Sequence, residues 1–347
     1  LGLLTGGART VDSRQQTMRA TLRWSHELLS EPEQKLFARL SVFAGGWTLQ
    51  AAEEVCQSGA AGRDDVLDLL SSLVDKSLVF AEEKAGTEAR YRMLEPVRQY
   101  ALEKLEESEE VERVREHHAR YYLGLAEAAE PELLGPGQVA WLERLTTEYA
   151  NLRTALSWCL DEEGAKPEER AEMGLRLAAA LGRFWGNLGS NEGREWLEKG
   201  LARSDASLAS LRAKALNEAG WIAIFHFDRL AIGLLEEALA LYKELGDKTG
   251  QASTINHLMH AVGLLNYLER APTLQGETRA LLEEPLEDPR AAAYLHLTMG
   301  MIAMFVADHE QVVTRMEKAL SLFREVGDLW GSVRCLSPMG IAALGRG

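Results

Sequence analysis

His257 and His260 lie one helical turn apart, a spacing at which two imidazoles can share a metal ion. No carboxylate sits one turn away on the same face to complete a ligand set, so the pair reads as ordinary repeat-surface histidines. His117 and His118 are adjacent, point in different directions on a helix and cannot hold one ion together. Acidic pairs such as Glu53-Glu54, Glu82-Glu83 and Glu236-Glu237 supply the groups of a glycosidase-like carboxylate pair. In an acidic helical chain such pairs are solvated faces. The sequence holds no G-x-S-x-G elbow, no cysteine with a flanking histidine signature and no G-x-x-x-x-G-K-[ST] loop, so nothing is in place for nucleophilic catalysis or for cradling phosphates. The expectation is a chain without catalytic, cofactor or metal residues. What remains is binding chemistry. Asn217 and Asn256 each offer a donor and an acceptor from one side chain. Together with His257, His260 and the turn Phe225-His226-Phe227, they are the candidate ligand- or partner-binding residues. The other aromatics of this region, among them Trp185, Trp221, Tyr242, Tyr294 and Trp330, read as packing between helices.

Helices must position these groups, because the pattern is helical almost throughout. The 347 residues carry 38 basic against 53 acidic side chains, a formal net charge of −15, which argues against a protein that coats nucleic acid. Their length suits two or three domains. The three cysteines, Cys56, Cys159 and Cys335, lie far apart and fit a reducing cytosol, and no apolar run is long enough to span a membrane. Residues 15–29 predict a first helix. Ser30-Glu31-Pro32-Glu33 predicts a capping box opening a second, with Leu36, Phe37 and Leu40 inward. Gly45-Gly46 breaks it, Thr48 caps a third, and Asp64 or Asp65 opens a fourth. Two short runs, 77–82 and 89–94, flank a glycine-containing turn and predict one β-hairpin. Helices followed by a two-stranded wing make a winged helix at 14–107. Residues 108–206 read as a helical connector, with helical spacing over 111–129 and again over 141–160.

Residues 207–347 repeat. Leu239-x-Leu241-Tyr242-Lys243-Glu244-Leu245-Gly246-Asp247-x-x-Gly250 returns as Leu320-x-Leu322-Phe323-Arg324-Glu325-Val326-Gly327-Asp328-x-x-Gly331. The offset is two units of about 40 residues, each a pair of amphipathic helices, which predicts an α-solenoid. Pairs are expected at 207–224 with 229–245, 249–265 with 268–284, and 290–306 with 309–326, followed by a helix from 329 without a partner. Gly220, Ala238, Gly300, Ala319 and Gly340 recur where paired helices approach closely. Asn217 and Asn256 fall at equivalent positions of successive first helices.

Several stretches carry a resemblance. Arg14 to Ser25, Leu28 to Gly46, Leu69 to Leu78, Arg90 to Ala101 and Glu148-x-x-Asn151-Leu152-Arg153-x-Ala155-Leu156-x-Trp158 are similar to bacterial STAND signal-transduction ATPases with an NB-ARC-like core, a group found in large transcriptional regulators. The solenoid resembles the tetratricopeptide repeats (TPRs) that follow in that group. The resemblance implies a mainly α chain: winged helix with one β-hairpin, helical connector and TPR-like solenoid, with the ATPase upstream. Leu3-Leu4-Thr5-Gly6-Gly7 resembles the tail of that ATPase, giving residues 1–13 as the end of an upstream module and Gly6-Gly7 as a turn. Where the family has a Met-His-Asp motif touching bound ADP, this chain has Met93, Leu94 and Glu95, and a leucine donates no hydrogen bond to phosphate.

The reading that follows is a cytoplasmic, non-enzymatic sensor half of a regulator. Its solenoid groove takes a protein or small-molecule effector, and its winged helix relays that event to the ATPase module of the same protein. No cofactor, membrane contact or direct DNA contact by these residues is expected, since the helix before the wing presents Asp64, Asp65, Asp68 and Asp75. A stand-alone TPR scaffold is the alternative, and an all-α enzyme the third reading.

Overall fold

The computed structural model describes residues 6–57, 63–82, 88–161 and 166–345, with side chains from Thr17 in the first helix and from Val66 in the fourth. The chain forms two compact units: residues 1–122 with 148–158, and residues 123–147 with 159–347. Among the described residues no helix is long and apolar enough to cross a membrane.

The first unit is a winged helix. Helix α1 (Gly6–Glu27) precedes α2 (Glu31–Leu40), strand β1 (Trp47–Thr48), α3 (Leu49–Cys56), α4 (Arg63–Asp75), strands β2 (Phe80–Glu82) and β3 (Arg90–Arg92), and α5 (Glu95–Glu106). The Ser30 N–H donates to the Glu33 carboxylate at 2.7 Å, as the capping box requires. Glu33 also accepts from Ser72 and pairs with Lys76, so one carboxylate ties the start of α2 to the end of α4. Lys76 and then Ser72 hold it well below the usual carboxylate range, at about 2. Thr48 caps α3, its hydroxyl accepting from the Ala51 N–H at 3.2 Å. Phe37, Leu40, Phe43, Trp47, Leu70, Leu73 and Leu105 fill the core, with the Phe43 and Trp47 rings stacked at 5.3 Å.

Four expectations are corrected here. Gly6-Gly7 opens α1 instead of forming a turn, a place where glycine's helix cost is small because the first N–H groups are unpaired in any helix. The first helix ends at Glu27, before Leu28 and Leu29. The first wing strand begins at Phe80, not Ser77. Ser77 has φ +58° and, with Leu78, donates back to carbonyls of α4, so those residues finish the helix. The hairpin gains a third strand, since Trp47 and Thr48 pair antiparallel with Tyr91 and Arg90 in the order β1-β3-β2. Two residues are too few for an alternation pattern to show. The wing turn at 83–87 lies outside the described residues, as do residues 1–5 of the expected upstream tail and the side chains of Asp64 and Asp65.

Helix α6 (Val111–Glu132) begins the connector, and α7 (Gln138–Thr147) and α8 (Tyr149–Cys159) follow. The sequence pattern reads 141–160 as one segment, but the chain breaks at Glu148. The Glu148 carboxylate pairs with Arg90 and accepts from the Tyr122 hydroxyl at 2.9 Å and from Asn151 Nδ2 at 2.9 Å. Asn151, almost fully buried, also donates to the Gly46 carbonyl at 2.8 Å and accepts from the Ala44 N–H at 2.7 Å. The bend after α2 is therefore fastened to α8 by one amide. Replacing Asn151 with Ala strands the Ala44 donor and part of the Glu148 carboxylate, at an expected cost of about 3 kcal/mol. Amides of α2 and α3 should then exchange with solvent about a hundredfold faster, which hydrogen-exchange mass spectrometry reads directly.

The second unit is an array of paired helices. It includes α9 (Pro167–Ala180), α10 (Gly182–Leu188) and α11 (Glu192–Arg203), which pack with one another and against α12 (Ala209–Phe225). Then come α13 (Leu230–Glu244), α14 (Lys248–Leu264), a 3₁₀ turn at Leu268–Arg270 with α15 (Ala271–Leu282), α16 (Pro289–Phe305), α17 (His309–Glu325) and α18 (Leu329–Gly345). Pairing is α12 with α13, α14 with α15 and α16 with α17, and each first helix also packs on the next, α12 on α14, α14 on α16 and α16 on α18. The repeated motif has a physical basis in each copy. Gly246 and Gly327 adopt φ +67° and +71° to end α13 and α17. Asp247 and Asp328 then cap α14 and α18 by accepting from the Gly250 and Gly331 N–H at 2.9 and 2.8 Å. A Cβ on Gly220 would meet Leu235 and one on Gly300 would meet Met316, both at 2.6 Å, so these glycines permit close helix approach. At Gly340 a Cβ meets nothing within 4 Å. Helix α18 accordingly shows Leu329, Val333, Leu336, Ile341 and Leu344 to solvent.

Candidate functional site

The successive first helices of the second unit, α12, α14, α16 and α18, bury polar side chains where a purely structural array would bury leucine. Helix α12 brings Asn217, Glu218 and Trp221, and α14 brings Thr254, Asn256, His257 and His260. Helix α16 brings Tyr294 and Thr298, α18 brings Arg334, and α10 adds Arg183. Asn217 Oδ1 accepts from the Thr254 hydroxyl and from His257 Nδ1, both at 3.0 Å, and its Nδ2 donates to Glu218 at 3.1 Å. Asn256 Nδ2 donates to the Thr298 hydroxyl at 3.1 Å, while its Oδ1 accepts from Arg334 Nη2 at 2.6 Å. Arg183 Nη2 donates to the Tyr294 hydroxyl at 3.1 Å.

Trp221 is the common neighbour. His257 stacks on its indole with centroids 4.3 Å apart, His260 meets it edge-on at 5.8 Å, and the guanidinium carbons of Arg183 and Arg334 both lie 5.5 Å from the ring centre. Because Asn217 Oδ1 is an acceptor only, His257 carries its proton on Nδ1 and leaves Nε2 as a lone pair. Burial first, and then Arg183 and Arg334, hold His257 well below the usual imidazole range; burial and then Arg334 do the same to His260. Burial pushes the Glu218 carboxyl up against the opposing pull of Arg183, and pushes Arg334 down to about 10. Several buried atoms of this cluster have no hydrogen-bond partner: Nε and Nη1 of Arg334, Nε2 of His257 and of His260, and Oε2 of Glu218.

The sequence-predicted residues thus divide. Asn217, Asn256, His257 and His260 do come together, on the predicted helices. Asn217, Asn256 and His257 are sealed between helices and not laid along an open groove, because their hydrogen bonds run between neighbouring first helices. Phe225, half-exposed at the end of α12, packs edge-on against Trp221 at 4.8 Å, whereas His226 and Phe227 form an exposed turn, Phe227 at 67% exposure and φ +53°. Asn266 and Ala307 hold the same left-handed backbone in the two following turns. Sequence reading missed Arg183 and Arg334, whose one signal was a cation inside an otherwise apolar helical pattern. It also missed a groove of about 580 Å³ of mixed polarity, lined by Leu268, Met299, Phe305, Arg279, Asp308 and Arg315. In the first unit Met93 is buried, Leu94 is exposed, and Glu95 is exposed and held by Arg98 at 2.9 Å. Among the described residues no three His, Cys, Asp or Glu side chains gather as a metal-holding group.

With this architecture in view, the chain is mainly α, a winged helix with a small three-stranded sheet, helices 111–159 and a TPR-like solenoid. Residues 29–106 match the winged helix-turn-helix domain family. The chain is 33% identical over 355 aligned residues to a protein of Mycobacterium tuberculosis that carries the provisional name of an HTH-type transcriptional regulator, and to its Mycobacterium bovis counterpart. The match takes in 99% of this chain and 39% of the relative, so the chain spans well under half the length of the curated relatives it matches. A second, uncharacterized Mycobacterium tuberculosis protein is 43% identical over 143 residues, 40% of this chain and 35% of that one. Among solved structures, a Pyrococcus horikoshii STAND protein with a tetratricopeptide repeat sensor aligns with 92% of this chain and 54% of its own, at 13% identity and a TM-score of 0.37, too low to establish a shared fold.

Proposed function

We propose that this chain is the sensor and regulatory part of a STAND-type signal-transduction protein, a cytoplasmic transcriptional regulator. The α-α repeats bind an effector or partner protein, and the winged helix relays that event to an NB-ARC-like ATPase module elsewhere in the full protein. The observation that carries this reading is the buried polar cluster around Trp221. Four successive first helices and α10 contribute to it, several of its guanidinium and imidazole nitrogens are left without partners, and buried polar groups are ordinarily satisfied. Relatives that extend well beyond the region aligned with this chain support the reading, as does their naming as regulators. This part carries no catalysis of its own, and a relay requires two arrangements of the array that effector and ATPase both bias.

A winged helix-turn-helix invites a DNA-binding reading, since the helix before the wing often enters the major groove. The exposed part of α4 carries Asp68, Ser71 and Asp75, and Lys76 is taken up by Glu33. Carboxylates facing a phosphate-lined groove add repulsion where binding needs neutralisation. We therefore assign DNA contact to another part of the full protein. Fluorescence anisotropy of the chain against duplex DNA near physiological salt should show no specific binding, and calorimetry with ADP and ATP no micromolar affinity. Nanomolar DNA binding lost on changing residues 66–76, or micromolar nucleotide binding, would overturn the assignment. A stand-alone TPR scaffold differs in predicting that partner binding leaves the winged helix unchanged.

A further inference from the structure

Arg183 and Arg334 are the unusual members of the cluster. A guanidinium withdrawn from water loses its hydration, and proteins ordinarily repay that with a carboxylate at ion-pair distance. Neither arginine has one. Arg183 spends one nitrogen on the Tyr294 hydroxyl, a neutral acceptor, and Arg334 spends one on the Asn256 amide. Nε and Nη1 of Arg334 lie out of contact with solvent and donate to nothing. The carboxylates nearby are otherwise engaged or weakened. Asp328, 2% exposed, caps α18 through one oxygen and has its other 4.0 Å from Arg290. Glu218 has its charge disfavoured by burial. Three guanidiniums, Arg183, Arg290 and Arg334, therefore face two carboxylates. The Trp221 face spreads some of the positive charge but supplies no acceptor in the guanidinium plane.

We propose that this cluster is a binding site for a small molecule bearing an oxyanion, a carboxylate or a phosphate, whose oxygens accept from Arg334 and add the negative charge the cluster lacks. The inference rests on the reading of the repeats as the effector-binding part and gives that effector a chemical class. Guanidinium is the side chain suited to such planar, forked recognition, and the hydrogen bonds it makes to an anion are charge-assisted. Arg183 and Arg334 stand on α10 and α18, far apart in sequence, so one anion between them would draw on distant parts of the array.

The test uses the 347-residue chain with inorganic phosphate and succinate as probes and sodium chloride and glucose as controls, at matched ionic strength, read by thermal denaturation and calorimetry. Phosphate, succinate or both should raise the unfolding midpoint saturably, by about 2 °C or more, a response that comparison of the two probes assigns to phosphate or carboxylate. Arg334→Gln, which keeps one amide donor for Asn256, should abolish the saturable part. It should also leave the free protein as stable as before or more so, because an unpaired buried charge has been removed; a merely structural arginine would lower the midpoint. Exchanging the exposed Arg324 for Gln should leave the response intact. The proposal is overturned if a folded wild-type chain answers neither probe saturably, or if Arg334→Gln answers as the wild type does. A saturable response to glucose without one to the anions would remove the oxyanion class and leave the effector reading standing. A chain indifferent to all the small molecules, yet engaging a partner protein through the repeats, would likewise end the oxyanion proposal.

Discussion

Valine in place of Gly331 should destabilise the solenoid by about 3 kcal/mol, at the upper end of what overpacking a core costs. Gly331 lies in the first turn of α18, and a Cβ there would fall inside the van der Waals shell of the Phe323 ring, itself fully buried. Rotating that ring away is blocked by Tyr294, packed edge-on at 5.4 Å. The Gly331 N–H is also the donor that Asp328 caps, so a backbone shift that relieved the clash would break the cap. Gly250 repeats the arrangement against Tyr242, and Gly250→Val should cost a similar amount. Gly340→Ala is the control: with nothing within 4 Å of the new methyl, helix propensity alone should leave the protein unchanged or stabilise it by up to about 1 kcal/mol. Urea unfolding of the three variants, with amide exchange in α14 and α18 to localise the loss, reads all of this. Equal midpoints for Gly331→Val and wild type would mean that the repeat motif does not pack as described.

Mild acid should weaken both units through their buried histidines. His118 in the first unit is fully buried beside Phe43 and Tyr122, and burial pushes it down to about 3. His257 and His260 in the second unit are held well below the usual range, as described above. A histidine whose folded value is depressed resists the proton that the unfolded chain accepts. Its contribution to stability is complete above the unfolded value near 6.5 and declines as the pH falls from there toward the folded value. Each such group imposes a slope of about 1.4 kcal/mol per pH unit in that window. The second unit, with these two and with His296, which burial pushes down to about 4, should lose about 3–4 kcal/mol between pH 6.5 and 5.0, and the first unit, where burial lowers the half-exposed His26 as well as His118, less than that. Glu33 acts in the same direction only lower down, below its unfolded value of 4.5. Amide exchange followed at pH 7.5, 6.5 and 5.5, corrected for the intrinsic rate, separates the units. His257→Gln should flatten the slope of the second unit by about a third, and an unchanged slope would show that His257 already titrates normally in the native state.

The parts of the fold that periodicity governs were legible from the residues. Helix pairs from 209 to 325 follow from a period near 40, and the aromatic–glycine pairs Tyr242–Gly250 and Phe323–Gly331 explain why the motif repeats at all. Short or single-residue features were not. Strand β1 spans two residues, and the break at Glu148 depends on partners at Arg90 and Tyr122 that no local pattern reveals. The candidate site was half legible. Asn217 and Asn256 stood out as equivalent polar positions, and His257 and His260 as neighbours on one helix. Arg183 and Arg334 did not, because an arginine in a helix is ordinarily a solvated face, and it is the tertiary packing that sets Arg334 against Asn256 and Trp221, away from water. The Phe225-His226-Phe227 turn drew attention by composition; Phe225 packs against Trp221 at the cluster's edge, while His226 and Phe227 are exposed.

Hydrogen exchange of the 347-residue chain, with and without a compound that stabilises it in a thermal screen, tests the account at its centre. A sensor whose winged helix relays an effector signal predicts protection of amides in α12, α14, α16 and α18, accompanied by altered exchange within residues 29–106. Protection confined to the winged helix, or protection of the solenoid with residues 29–106 unchanged at saturation, would contradict it.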